Sequence, residues 1–284
     1  MAKWIKVLIV VITIVLIVGI ASIIIINSTG FKGQNINEID ITSAGSDAEI
    51  AENTKSIDEC TPQEAVYITN NKIKNFNSYY ACISGEVTAL GGIYKQNVSG
   101  YKYKNQNGAL YISKSTSAFV NVGKQIYISK DDNVQVREAI NVKEDTWQNT
   151  TTKFTLNNYL QEYGVDFRTL TNYVLNDATI TSATLISVEN SVYTYTLFLD
   201  INSATLGYRL NMAKMGDLPS LPEFTSCKMD ISINQNFEPI RITCYDNYKV
   251  EKFGGLNCIS TLTIDFFNIN EPVEMPEEEF FNQE

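Results

Sequence analysis

The chain has 284 residues, is 44% hydrophobic and 19% charged, and carries a formal net charge of -10 with no histidine. A charged fraction below the roughly 25% of an average soluble domain, together with 16 Tyr and 13 Phe, excludes global disorder. The acidic balance argues against a nucleic-acid partner, and the lack of His removes imidazole bases and His-containing metal sites.

Residues 1–6 contain Lys3, Trp4 and Lys6, and an uncharged apolar run follows from Val7 to Ile26. Such a run, at about 1.5 Å rise per residue, matches a hydrocarbon core of about 30 Å. Glu38, Asp40, Asp47 and Glu49 come after it. The basic bias predicts residues 1–6 in the cytoplasm, 7–26 as a transmembrane signal anchor in the lipid bilayer, and the rest outside the cell membrane. A cleaved signal is the rival reading: Gly19-Ile20-Ala21 could serve as the cleavage site, but Ile23 to Ile26 continue the apolar run. A lipoprotein would need a Cys directly after the run, and the first is Cys60.

Residues 27–59 lack sustained periodicity and read as a flexible extracytoplasmic linker. An exported antiparallel-sheet domain is expected over 60–270. It opens with Thr61-Pro62-Gln63-Glu64, a capping box with Pro at the first helical position. Ala65, Ile73 and Phe76 share a helical face flanked by Val66 and Ile68, and Asn77-Ser78 ends the helix.

Period-two runs then follow from Tyr79 to about Val142: Tyr79 to Leu90, Gly100 to Tyr103, Ala109 to Ser113, Ala118 to Val122, Gln125 to Ser129 and Val134 to Glu138. The turn signals between them predict a β-meander. Thr155 is placed to cap a helix from Leu156 to Tyr163 stopped by Gly164, and Asp166 to cap a second short helix carrying Phe167, Leu170, Tyr173 and Val174. Strands are expected over Thr179 to Val188 and Val192 to Asp200, a helix over Ser203 to Met215, and strands over Ser226 to Ile233, Pro239 to Val250 and Leu256 to Asn268. Pro272, Pro276 and Glu277-Glu278-Glu279 make 271–284 read as an acidic tail.

Five cysteines without CxxC spacing suggest no metal or thioredoxin-type site. Cys244 with Cys258, or Cys60 with Cys82, could pair; buried small hydrophobes are the competing reading. Asp131-Asp132-Asn133 lacks the later ligands of a calcium loop and reads as a hairpin turn. No phosphate-binding loop or nucleophile elbow is present, so neither catalytic residues nor a cofactor are expected. Tyr79, Tyr80, Tyr94, Tyr101, Tyr103, Tyr111 and Tyr127 lie on or beside predicted strands and read as cross-strand packing pairs.

The leading helix Thr61 to Phe76 running into Tyr79 to Gly92, with the closing block Phe224 to Phe267, resembles the bacterial lipoprotein-carrier superfamily (LolA-like) in element order over about 220 residues. The resemblance implies an α+β fold in which a curved antiparallel half-barrel holds an acyl chain under helical lids. The transmembrane anchor departs from that family. Leu197, Leu199, Tyr208, Met212 and Met215 are the candidates for an apolar ligand pocket. The expected function is a single-pass, membrane-anchored extracytoplasmic binding protein, not an enzyme, holding a lipid or other apolar envelope ligand. The alternative is a cell-envelope sensor module contacting a partner protein.

Overall fold

Helix α1 (Pro62–Asn75) begins where the sequence places it. The Glu64 amide donates to Thr61 Oγ1 at 3.2 Å, and the Thr61 amide donates to the Glu64 carboxylate at 2.8 Å. Ala65, Val66, Thr69 and Ile73 are buried, and Phe76, in extended conformation, ends the helix with its ring in the core. Thr61→Ala is expected to cost about 1 kcal/mol, read as a lowered thermal midpoint; no change would show that Glu64 alone holds the first turn.

The computed structural model describes residues 55–118, 121–216, 218–251 and 255–282. The anchor expected at 7–26, and nearly all of the 27–59 linker, lie outside them. Among the described residues no helix is long and apolar enough to cross a membrane.

A meander of β1 (Tyr79–Ala89), β2 (Tyr94–Asn105), β3 (Gly108–Thr116), β4 (Asn121–Ser129) and β5 (Asn133–Asn141) comes first. The short β6 (Thr146–Trp147) and β7 (Thr152–Thr155) both pair with β5. Helix α2 (Leu156–Tyr163) leads through an irregular stretch to β8 (Ile180–Glu189), β9 (Val192–Leu199) and helix α3 (Ile201–Gly216). The chain closes with β10 (Glu223–Asn234), β11 (Pro239–Val250), β12 (Leu256–Phe267) and one turn, α4 (Glu278–Phe281). Among the described residues, twelve strands join one open sheet in the order β6-β5-β4-β3-β2-β1-β12-β11-β10-β9-β8, with β7 beside β5. An antiparallel open sheet with few helices accords with the expected curved half-barrel.

Register divides the sheet into two faces. The inner face carries Ala81 and Ile83 of β1, Leu197 of β9, Met229 and Ile231 of β10, Ile242 of β11 and Ile264 of β12. These pack with α1, the 164–179 stretch and the start of α3 in one core cluster. Ile126, Ile128, Val134 and Val136 face α2 through Tyr159 and Tyr163 in a second cluster. On the outer face Tyr80, Tyr101, Tyr103 and Phe267 lie ring against ring with centroids 5.0–6.2 Å apart. These contacts are the cross-strand packing role expected of these tyrosines, with Tyr101 and Phe267 still partly exposed.

Four expectations need correction. Of the strand expected over Ala118 to Val122, Ala118 lies outside any strand, and Val122 continues with Gly123 in β4, where Gly123 pairs with Lys114 and lacks the left-handed φ of a turn glycine. β6 and β7 had no counterpart in the period-two reading. The second helix after Asp166 is absent. Asp166 Oδ1 accepts the Arg168 amide (3.0 Å) as a cap would, but further on Thr171 Oγ1 takes the Tyr173 amide (3.1 Å) and the Ala204 carbonyl of α3 takes that of Val174 (3.0 Å), so no helical ladder follows. Phe167, Leu170 and Tyr173 are buried all the same. No disulfide joins the five cysteines among the described residues, and of the two readings left open Cys227, Cys244 and Cys258 follow the second, as small buried side chains.

The fourth lies at the end of the chain. What composition reads as an acidic tail lies on the outer face of β3 to β5, where Met275 and Phe281 complete a cluster with Leu110, Ile112, Tyr127 and Trp147. Phe281 is 2% exposed and stacks on Tyr127 at 5.1 Å. Glu277 pairs with Arg137, whose guanidinium sits 4.1 Å from the Phe280 ring centre.

Candidate functional site

The last turn of α1, the β2–β3 hairpin, the end of β4 and Arg168 enclose a cleft of about 300 Å³. Its floor includes Phe76, Ala109 and Ile128, and around it stand Lys74, Lys104, Lys130 and Arg168. No Asp or Glu lines it, in a chain with 32 acidic and 22 basic residues. Local rules place each cation. Lys74 is in the last turn of α1, where positive charge complements the helix dipole, and Lys104 Nζ donates to the Lys74 carbonyl at 2.8 Å. Lys130 follows β4 at the Asp131-Asp132-Asn133 turn.

Arg168 is held from behind by Asp166 through Nε and Nη2 (3.0 and 2.7 Å) and by Asp132 through Nη1 (2.8 Å). Burial works against its charge, but the bonds to Asp166 and then Asp132 outweigh it, and the pKa stands above the ordinary arginine value. Two carboxylates thus offset the charge of Arg168. Burial, reinforced by the neighbouring Arg168, lowers the pKa of Lys104. An anion in the cleft would relieve that penalty, so the arrangement suits a negatively charged group lodged beside a small apolar surface.

Two buried charges stand elsewhere on the inner face. Lys102 is 1% exposed and donates to the Thr169 carbonyl at 3.1 Å; burial pulls its pKa down to about 8, against the opposing pull of Asp166 and Cys244. Asp246 is 2% exposed and accepts the Tyr173 hydroxyl at 2.5 Å, while its other oxygen, Oδ1, has no hydrogen-bond partner among the described residues. Burial pushes the carboxyl up to about 6, with Tyr173 and Cys227 pulling against it. Neither residue lines the cleft.

None of the apolar candidates borders the cleft. Leu197 and Leu199 are core residues of β9. Tyr208 lies edge-on to Tyr173 (5.2 Å) and Phe224 (5.9 Å), and Met212 joins it in a cluster with Ala89, Phe224, Tyr248 and Cys258. Met215, half-buried one turn on, belongs to none of the core clusters. The structure thus brings Tyr208 and Met212 together as packing under α3. Sequence reasoning missed the four cations. One available signal was Tyr101-Lys102-Tyr103-Lys104: alternation puts both lysines on one face, and register shows it is the inner one.

No protein-family model matches the chain, and no curated protein matches it. Among solved structures it is similar to a DUF1329 family protein from Desulfovibrio piger, with 12% identity over 78% of this chain and 98% of that one, at a TM-score of 0.30. Overlap that low carries no weight for fold or function.

Proposed function

We propose that the chain is a membrane-anchored extracytoplasmic binding protein whose cleft takes an anionic amphiphile, its charged head among Lys74, Lys104, Lys130 and Arg168 and a short apolar part against Phe76, Ala109 and Ile128. The observation that carries this reading is the convergence of four cations and no lining carboxylate on one cleft. Its volume lies at the small end of ligand sites, which run from about 300 to 1,000 Å³. Its lining is more polar than the mostly apolar lining usual in such sites, which suits a ligand recognised chiefly by its charge. The apolar run Val7 to Ile26 supports the anchor, and activity confined to the cytosol for a reporter fused behind Glu284 would overturn the exported placement.

The cleft is tested with full chain in nanodiscs and 1-naphthyl phosphate as probe, with inorganic phosphate and 1-naphthol as head-only and ring-only controls. The phosphate ester is expected to bind more tightly than either. Lys130→Glu reverses an exposed charge and is expected to weaken it about tenfold, a loss of about 1.4 kcal/mol. Equal binding of the uncharged naphthol, or indifference to Lys130→Glu, would overturn the reading.

A sensor role has one observation in its favour. β8 is an edge strand with Ile186 60% and Val188 51% exposed, although register shifts at Ile180/Ser182 and Leu185/Ser187 blunt the edge. Crosslinking in intact cells that traps one defined envelope protein at β8 would favour that role over ligand binding.

A further inference from the structure

We infer that Glu278, on the outer face of the sheet, is a positioning residue for the cleft on the inner face; the inference rests on the binding reading above. One wall of the cleft is the β2–β3 hairpin, which contributes Lys104, Asn105, Gln106 and Gly108. Its two-residue loop, Gln106-Asn107, lies between the paired Asn105 and Gly108, and neither loop residue has a positive φ. Two-residue hairpin loops favour positive φ because those turns match the twist of the strands. This loop therefore depends on side chains for its shape.

Asn105 Oδ1 accepts the amides of Asn107 (2.8 Å) and Gly108 (3.2 Å), which closes the turn from within. The other end of that side chain, Nδ2, donates to Glu278 Oε2 at 3.0 Å, and Asn107 Nδ2 donates to Glu278 Oε1. An Asn amide has one accepting and one donating end. By engaging the donor, the carboxylate fixes the acceptor against the turn. The Asn107 carbonyl in turn accepts the Lys130 amide at 2.9 Å, so the loop is tied to the strand end that bears another of the cleft's cations.

Glu278 is itself firmly placed. Glu277 pairs with Arg137, Phe281 stacks on Tyr127, and Gln135 Nε2 donates to the Phe281 carbonyl at 2.6 Å. Seating of the C-terminal turn and occupancy of the cleft are then linked, and linkage of this kind is reciprocal. Anything that lifts 277–282 from the sheet loosens the wall of the cleft, and a ligand in the cleft holds that segment down.

The test uses the full chain in nanodiscs with 1-naphthyl phosphate. Glu278→Ala, which removes no group lining the cleft, is expected to weaken the probe about fivefold, with Glu278→Gln intermediate because it keeps one acceptor. Hydrogen exchange supplies a readout that general destabilisation would not reproduce. Amides 106–108 should exchange faster in Glu278→Ala while the β10–β11 amides keep their rates, and saturating probe should slow exchange over 278–282 in the parent chain alone. If parent and variant bind equally with unchanged exchange at 106–108, the positioning role is overturned and the cleft reading stands. If the parent fails to bind the probe, the cleft reading falls, and faster exchange at 106–108 in the variant would still support the hold of Glu278 on the hairpin, whereas unchanged exchange would end it.

Discussion

Gly207→Ala is expected to destabilise the domain by about 2 kcal/mol, even though alanine is the better helix former by about 1 kcal/mol in mid-helix. Gly207 lies in α3, buried against Gly164, the residue that stops α2 in the left-handed region at φ 76°. A Cβ on Gly207 would sit on the Gly164 carbonyl oxygen, and one on Gly164 would stand 2.6 Å from the Gly207 oxygen. Neither obstacle is a flexible side-chain end, so the two helices must separate. Overpacking of that kind costs about 3 kcal/mol, which exceeds the gain in propensity. Separation would also disturb Tyr159 and Tyr163, which reach the second core cluster from α2. Denaturant unfolding measures the effect, and a midpoint equal to or above the parent's would show that the helices part without strain.

Asp246→Asn should stabilise the domain at pH 7.5 by about 2 kcal/mol and have little effect at pH 4. Burial raises the folded-state pKa of this carboxyl from the ordinary 3.8 to about 6. Its favourable contribution is therefore complete below about 4, where it is protonated in both states, and is lost as pH climbs through 6. A pKa difference of that size corresponds to about 3 kcal/mol; the unpaired amide end that Asn leaves beside the orphaned Oδ1 position reduces the gain. Other carboxyls tilt the profile the opposite way: hydrogen bonds from the Thr61 backbone, Lys55 and the Thr61 hydroxyl hold Glu64 down at about 2. The informative quantity is thus the difference between variant and parent at each pH. A difference that stays flat from pH 4 to 7.5 would mean that Asp246 does not change its charge in that range.

Where one local rule suffices, the sequence was readable. The capping box at Thr61, the left-handed stop at Gly164 and the Glu189-to-Val192 hairpin, with Asn190 and Ser191 both at positive φ, follow from residues within four positions of each other. The alternation of β12, with Cys258, Leu262, Ile264 and Phe266 inward, is equally local. The misses depended on distant partners. Met275, Phe280 and Phe281 looked like part of a charged tail because the outer-face cluster that receives them is assembled from β3, β4 and β6. The 166–174 stretch has helical spacing of apolar residues, yet Thr171 and the Ala204 carbonyl capture its amides. The cleft brings together residues from four separate stretches, and no periodicity within any one of them announces it.

The pairing of β1 with β12, from Tyr80 opposite Phe267 to Ala89 opposite Cys258, stitches the earliest strand to the last. During synthesis, β1 and its meander emerge with one border unsatisfied until nearly the whole domain has been made. Contacts so remote in the chain are slow to form because a long loop must close first, and an unsealed border is a template for wrong partners in the interval. The maturation of this domain is thus tied to completion of its synthesis: an interrupted chain that lacks the twelfth strand keeps an exposed seam through the middle of what should be a continuous sheet.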